Sequence, residues 1–577
     1  MMQNKTLGNN TTTNNMRMMP MSVREVAAAV NGRLFIGGCL VKENHSITSE
    51  KFCITDNDVV ISDNDVVIYA TSDSRKVVDS SIFVAIPGDR VDGHDFVQKA
   101  AELGAKIAIV EHFVKLDESN NSKIAQIVVE NSVEALGLLA KHNLERRRAL
   151  NTPFSIIGIT GSVGKTTTKD MLKALLSTLG NTVAPIGSFN NEIGLPLTSL
   201  QVNENTRFLI AEMGANHVGE IAKLTTIAPP DLAVVLKVGV AHLGEFGSVE
   251  RIAQAKSEIV RGLVAHGIAI LNADDFRVSA MRSLADQDKL RWFGKNTNTE
   301  GDFDASNNGN YQLSASDISL DEMGCAEFVL NEKNEDKFKN SVRVHLAIQG
   351  QHNVMNAMAA SNVARYFGMN LESIAKVLHE VSHISPHRMQ LSKISNNNNV
   401  FTLIDDSFNA NPDSMKAGID GLCSYENHDL HNLNVNAEED LTSKKNNIFR
   451  IAVLGSMLEL GSNENNMHES IGEYVAKHNI DALIAVGSKF DKKLDELAGC
   501  IYKGAKDNWQ NKSLDVENGV YFVHDCTEAD NVVWNLVAAH SSSVVLLKGS
   551  HASGLSVLAE RWSKLNESLN EHTEVNL

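Results

Sequence analysis

No two of the six cysteines, Cys39, Cys53, Cys325, Cys423, Cys500 and Cys526, stand in CxxC spacing. Neither a zinc site nor a disulfide framework is suggested, and the compartment expected is a reducing one. No stretch approaches about 18 consecutive apolar residues, which excludes a transmembrane helix. Positive charge is in short supply: 53 Lys and Arg against 71 Asp and Glu leave a formal net charge of −18. That balance argues against nucleic acid or an anionic membrane surface as partner, so an anionic ligand must be met by a local pocket. The opening MMQNKTLGNNTTTNNMRMMP has no apolar core of a secretory signal. It reads as a disordered extension over 1–20, and the location expected is cytoplasmic. Helix-like SVREVAAAVNG begins after Met21, where the folded part is placed.

What is present is a globular composition, 43% hydrophobic and 21% charged, over 577 residues. That length exceeds one core and predicts about three or four domains. Up to about Leu150 short strand-like runs such as SIFVAI and KIAIVE mix with helical pieces, as in a compact α/β module. From there to about 385, FSIIGIT, RFLIAEM, DLAVVLKVGV and GIAILNADD alternate with helices, which predicts a mostly parallel sheet covered on both faces. After SPHRMQ the pattern restarts with VFTLIDD, FRIAVLGS, DALIAVGS and SSVVLLKGS, a second doubly wound unit. The domains expected are therefore 21–150, 151–385 and 386–577. Four polar stretches, Gly294 to Gln312, Ser395 to Asn399, Ser424 to Asn447 and Lys503 to Gly519, read as solvated loops.

The strongest local signal is ITGSVGKTTTKD, from Ile159 to Asp170. It lies between an apolar β-branched run and a helix whose Met171, Leu172, Leu175, Leu176 and Leu179 share a face. In a strand-loop-helix unit, loop amides and the helix N-terminus converge where negative charge is favoured. The ligand predicted is a nucleotide phosphate held by Gly161, Ser162, Val163, Gly164, Lys165, Thr166 and Thr167, with Lys165 on the β/γ-phosphates and a threonine hydroxyl on Mg²⁺. The loop is the short form TGxxGKTT, without glycine at Ile159.

Ligands in open α/β sheets bind at the carboxyl ends of strands. Glu212 ends RFLIA, where an acid commonly faces Mg²⁺ or stands as a surface carboxylate. His242 follows VVLKVGVA and fits either a site or a structural role. Asn272 and Asp274 fit a turn or cap as well as a site. Lys256, in RIAQAKSEIV, reads on pattern alone as a solvated helix lysine. In GQHNVMNAMAAS, Asn353 and Asn356 share one helix face, from which their amides could pair with a base. Asp405 and Asp406 end a strand where an acid can take a ribose hydroxyl.

TGSVGKTT, FNNEIGLP, AEMGAN, AKSEI, GQHNVMNAMAA, SPHRM and DDSFNANP, in that order, resemble the Mur ligase family, and the likeness runs from about Met21 to Leu558. DDSFNANPDS, LGSMLELG, TSDSR and AIPGDRVDGHDF are most similar to the branch that joins D-alanyl-D-alanine to UDP-N-acetylmuramoyl-tripeptide. The resemblance implies an N-terminal domain for the UDP-sugar, a central ATP domain and a closing Rossmann-like domain, in an ATP-dependent, peptidoglycan-building ligase working as a monomer. It places Ser74, Arg75, Asp92, Gly93, His94 and Asp95 near the uridine diphosphate. Asn191, Asn353, Asn356, Arg388 and Asp406 fall on ATP, and Asn409, Asn411 and Lys548 on substrate. Thr166, Glu212 and His242 become Mg²⁺ ligands, joined by Lys256 as a CO₂-derived carbamate, which requires a depressed lysine pKa.

Three positions depart from the family pattern: Ser456 for aspartate, His551 for arginine and His387 for glycine. A sister ligase adding a single amino acid is the first rival, yet the DNPR string of that type for diaminopimelate is absent. A non-catalytic UDP-peptide sensor is the second.

Overall fold

The computed structural model describes residues 17–36, 39–41, 61–88, 91–117, 124–241, 243–295, 311–321, 323–333, 339–382, 385–396, 399–425, 448–509 and 519–574. Three large sheets occupy successive stretches of chain, and a two-stranded ribbon joins Met21–Ser22 to Val66–Val67. Each large sheet is covered on both faces, because successive strand residues point to opposite sides. In the strand Ser155–Thr160, for example, Ile156 enters one core cluster while Ile157 and Ile159 enter the other. Such strands read as unbroken apolar runs.

The first sheet has six strands, with Tyr69–Thr71, Ser81–Val84, Ala105–Val110 and Ala125–Val128 parallel and Arg33–Ile36 and Cys39–Leu40 added antiparallel. The chain entering it corrects the extension expected over 1–20. Met18 is 1% exposed and donates its N–H to the Ile68 carbonyl at 2.8 Å, so the segment is ordered from here; residues 1–16 lie outside the described residues. Helix Ser132–Arg148, capped by Asn131, ties this lobe to the next. Its Asn143 donates to the carbonyls of Ser199 and Val202, and its buried Arg147 donates to those of Thr206 and Pro153.

The central sheet runs Thr182–Val183, Phe208–Glu212, Ser155–Thr160, Leu232–Val235, Ile268–Asn272, Leu290–Lys295 and Tyr311–Leu320, all parallel. Cys325–Lys333 and Lys339–Gln349 then add an antiparallel meander, which the expected strand-helix alternation did not include. Their pattern is one-sided: Val344, Leu346 and Ile348 are buried and alternate with more exposed residues.

The third sheet orders Gln390–Asn396, Asn399–Asp406, Ser543–Lys548, Phe449–Gly455, Ala482–Val486 and Val520–Val523, parallel except for the first hairpin. Two of the expected loops shrink here. Ser395, Asn396 and Asn399 belong to paired antiparallel strands, with residues 397–398 outside the described residues, and helix Lys492–Asn508 takes up the start of Lys503 to Gly519 because Ile501 and Ala505 anchor its last turns in the core. Most of the other two polar stretches lies outside the described residues.

Candidate active site

The loop after strand Ser155–Thr160 is built by the backbone. Gly164, at the N-terminus of helix Lys165–Ser177, has φ +85°, and a Cβ there would lie 2.3 Å from the Asn356 Oδ1. Only glycine fits that turn and that approach. Ser162 pins the loop to the neighbouring strand end, donating its N–H to the Lys237 carbonyl at 2.8 Å and accepting from the Gly239 N–H at 2.9 Å. Lys165 curls back so that Nζ donates to the Gly161 carbonyl at 2.8 Å. Burial pulls its pKa down, Glu212 opposes, and Arg388 adds to the lowering.

Thr166 is the hub of the loop. Its hydroxyl lies 3.0 Å from that of Ser188 and 3.4 Å from Glu212 Oε1, and Arg388 Nη2 reaches it at 3.3 Å. Glu212, at the end of strand Phe208–Glu212, is 1% exposed. Oε1 accepts from Asn190 Nδ2 at 3.0 Å, whereas the buried Oε2 has no hydrogen-bond partner among the described residues. A buried carboxylate oxygen left unpaired is costly, and a cation is the group that satisfies it.

Lys256 is not a solvated helix lysine. Helix Val249–Arg261 sends Ile252, Ala255 and Ile259 into the core and carries Lys256 with them, 3% exposed, on the wall of the same cavity. Burial, and then the charge of Lys165, push its pKa down to about 7. His242 lies outside the described residues. Among those described, no group of three or more His, Cys, Asp or Glu side chains forms a metal cage.

Asn353 and Asn356 line the cavity, but their amides are used within the fold. Asn356 Nδ2 donates to Asn353 Oδ1 at 2.8 Å, and Asn353 Nδ2 to the Gln349 carbonyl at 2.6 Å, latching strand to helix. Asn191 Oδ1 accepts from the Gly194 N–H at 2.9 Å. Asn272 and Asp274 form a turn, the Asp274 N–H on Asn272 Oδ1 at 2.9 Å.

The third lobe closes the cavity. Arg388 stacks over Phe408, its guanidinium carbon 4.2 Å from the ring centroid, and reaches Ser188 at 3.2 Å. It stands between two left-handed residues, His387 at φ +61° and Met389 at φ +51°. His387 tolerates a conformation that suits glycine because its Nδ1 is held 2.7 Å from Asp405 Oδ2, a contact that also raises the imidazole pKa. Asp406 is ion-paired with the buried Lys548, which also donates to the Asn409 carbonyl at 3.2 Å. Asn409 lines the cavity, and Asn411 caps helix Pro412–Ser424. Lys237 and Asp413 pair across the lobes at 3.4 Å. Nearby, the Gly244 N–H donates to the Glu459 carbonyl at 2.9 Å, with Gly461 packed directly on Gly244.

Ser74, Arg75 and the 92–95 segment do not reach this cavity. Arg75 is exposed and forked on Asp73 at 2.9 and 3.0 Å. Asp92 caps the short turn Gly93–Phe96, in which Asp95 is exposed and Gly93 is needed because a Cβ would lie 2.5 Å from the Ile86 nitrogen. Both His94 nitrogens are taken: Nε2 accepts from the Glu111 N–H at 2.8 Å, so Nδ1 carries the proton facing Asp92 at 2.6 Å. The first lobe meets the cavity instead through Asn131, Val133 and Glu134. Ser188, Asn190 and His352 also belong to the site and were not singled out for it from sequence. For Asn190, the string FNNEIG was the available signal.

All three lobes thus border one cavity of about 1310 Å³, with the phosphate loop on one wall and the third lobe on another. Such an arrangement fits an enzyme that holds a nucleotide's phosphates on one wall and a substrate presented between lobes. Residues 159–364 match the Mur ligase middle domain and residues 69–143 the Mur ligase family catalytic domain. The chain is 34% identical over 502 residues to the UDP-N-acetylmuramoyl-tripeptide:D-alanyl-D-alanine ligase of Mycobacterium tuberculosis strain H37Rv, covering 85% of this chain and 90% of that protein. It is 35% identical over 416 residues to the Bacillus subtilis ligase of the same name, covering 72% and 79%. The MurF crystal structure from Acinetobacter baumannii superposes with a TM-score of 0.71 at 28% identity, over 95% of this chain and 99% of that one. The ADP complex of the Thermotoga maritima MurF ligase gives 0.64 at 26%, over 87% and 98%. The chain belongs to the Mur ligase family.

Proposed function

We propose that the protein joins D-alanyl-D-alanine to UDP-N-acetylmuramoyl-tripeptide at the expense of ATP, giving the UDP-pentapeptide precursor of peptidoglycan. The observation that carries this reading is the single cavity in which Lys165, Thr166 and Glu212 face Arg388 and the third lobe. The relatives covered over most of their length bear this activity in their names. Residues 21–150 serve the UDP-sugar, 151–385 ATP, and 386–577 the closing of the site on the incoming amine.

A carboxylate resists amine attack because it is anionic and lacks a leaving group, so the γ-phosphoryl group of ATP is first moved onto it as an acyl phosphate. Lys165 and the loop amides stabilise charge on the moving group, and Arg388 adds a fork from the third lobe. The unpaired Glu212 Oε2, on the carboxylate whose Oε1 lies 3.4 Å from the Thr166 hydroxyl, fits Mg²⁺, with His242 and a carbamate on Lys256 as the further ligands the family resemblance implies. Bound there, the ion would neutralise charge on the phosphates. A Lys256 amine with a pKa of about 7 is substantially neutral at physiological pH, the state that CO₂ requires, and carbamylation turns a cation beside the metal into an anion. The dipeptide amine, with an ordinary pKa near ~8, then attacks and phosphate leaves; no dedicated base is assigned.

On this reading Ser74 and Arg75 sit toward the uridine diphosphate and Asp406 toward the ribose. His94 supports its turn rather than touching ligand. Among the described residues no helix is long and apolar enough to cross a membrane, and a cytoplasmic monomer is the proposed form. The test is ADP release with MgATP and UDP-tripeptide, comparing D-alanyl-D-alanine with single amino acids. Release only with the dipeptide, and its loss in Lys165→Ala, is expected. Tight UDP-tripeptide binding without release for any amine would overturn the reading in favour of a sensor.

A further inference from the structure

The third lobe must hold the incoming dipeptide by something, and its basic residues on the cavity wall are nearly all committed. Arg388 points at the Thr166 and Ser188 hydroxyls, and Lys548 is paired with Asp406. His551 is exposed on the same wall, and its imidazole has no hydrogen bond or ion pair among the described residues. Beside it Ser550, 2% exposed, lines the cavity with a buried Oγ that has no partner among the described residues.

The turn that presents them is rigid. The Ser550 N–H donates to the Ser456 carbonyl at 2.9 Å, and its carbonyl accepts from the Ser553 N–H at 2.9 Å and the Ser553 hydroxyl at 2.6 Å. A Cβ on Gly549 would lie 3.0 Å from Gly455 Cα, so the two strand ends touch through backbone. Ser456 turns its own hydroxyl away, to the Leu494 carbonyl at 2.7 Å. Every backbone polar group named here is satisfied while the Ser550 hydroxyl is left over, and a buried donor left over marks a missing ligand.

We infer that Ser550 and His551 form the subsite for the terminal carboxylate of the acceptor dipeptide, and so set its specificity; the inference rests on the ligase reading above. A carboxylate accepts from a hydroxyl and from an imidazole N–H at once. The carboxylate held there leaves the dipeptide's amino end to project into the cavity.

The experiment compares D-alanyl-D-alanine with its C-terminal amide in ADP release by the full chain. It uses wild type, Ser550→Ala, His551→Ala and His551→Arg at saturating MgATP and UDP-tripeptide. Wild type is expected to favour the acid by about 10- to 100-fold in kcat/KM, the usual size for a charge-assisted hydrogen bond. His551→Ala loses that preference through KM for the acid with KM for ATP unchanged, His551→Arg restores it, and Ser550→Ala weakens it. An acid-to-amide ratio in His551→Ala and Ser550→Ala equal to that of wild type would overturn the subsite while leaving the ligase intact. No release with any amine, in any form of the protein, would overturn the ligase reading and the subsite with it.

Discussion

Replacing Lys256 by methionine is expected to destroy activity and at the same time make the central lobe more stable at pH 7. In the unfolded chain this lysine keeps its proton up to about pH 10.5, whereas in the fold it releases it near 7. Between those values the unfolded state binds more protons, so stability rises with pH across that window and the full penalty is felt below it. At about 1.4 kcal/mol per pH unit the penalty at pH 7 approaches roughly 4 kcal/mol. Methionine keeps an unbranched apolar stem at the buried position and does not titrate, so the gain expected after imperfect packing is about 2–4 kcal/mol. For a lobe of this size that raises the thermal midpoint by roughly 4–16 °C. The measurement is thermal unfolding at pH 7, 8.5 and 10 in chelator and CO₂-free buffer. The gap between variant and wild type should narrow steadily as the pH rises. A variant no more stable than wild type at pH 7, or a gap independent of pH, would refute the burial argument. Adding bicarbonate and Mg²⁺ should raise the midpoint of wild type alone, which reports the carbamate independently of turnover.

Gly164→Ala places a methyl group against Asn356 in a left-handed turn, a strain of about 1–2 kcal/mol before the clash is counted. ATP affinity measured by calorimetry should fall at least 10-fold, by about 1.4 kcal/mol or more. Glu212→Gln removes the charge that faces the cation while keeping the shape. ADP release should drop at least 100-fold, about 2.7 kcal/mol, and a magnesium titration should half-saturate at a higher Mg²⁺ concentration. His387→Gly relieves a left-handed residue but loses the bond to Asp405. Because the folded imidazole pKa is raised, that bond's contribution is complete below the unfolded value near ~6.5 and fades as pH climbs through the higher folded value. Unfolding should therefore show the glycine variant less stable at pH 5.5 and equal or better at pH 8.5.

The phosphate loop was legible because its meaning is local: glycine, lysine and threonine at fixed spacing between a strand and a helix. Glu212 was legible for a related reason, since a strand end in a parallel sheet is a defined place. Lys256 was not legible from pattern, because burial of a helix lysine depends on which face another element covers; the family resemblance alone singled it out. Asn353 and Asn356 were correctly placed on one face, yet spacing does not tell whether an amide serves a ligand or the other amide, and here it serves the other. The 92–95 segment shows the same limit, for the Asp92–His94 bond closes within the turn. The meander from Tyr311 to Gln349 escaped notice because polar segments broke its alternation into pieces shorter than a convincing strand signal. Ser188 and Asn190 owe their roles to contacts with residues more than twenty positions away.

Gly244 and Gly461 meet without a side chain between them: a Cβ on Gly461 would lie 2.8 Å from the Gly244 Cα, and one on Gly244 would lie 2.5 Å from the Gly461 nitrogen. Contacts made by side chains can be tuned by degrees, through rotamers and solvent. A seam of bare backbone has no such slack, so any added carbon acts as a doorstop between the lobes. Alanine at either glycine would force the two backbones apart at this seam while leaving the phosphate loop whole.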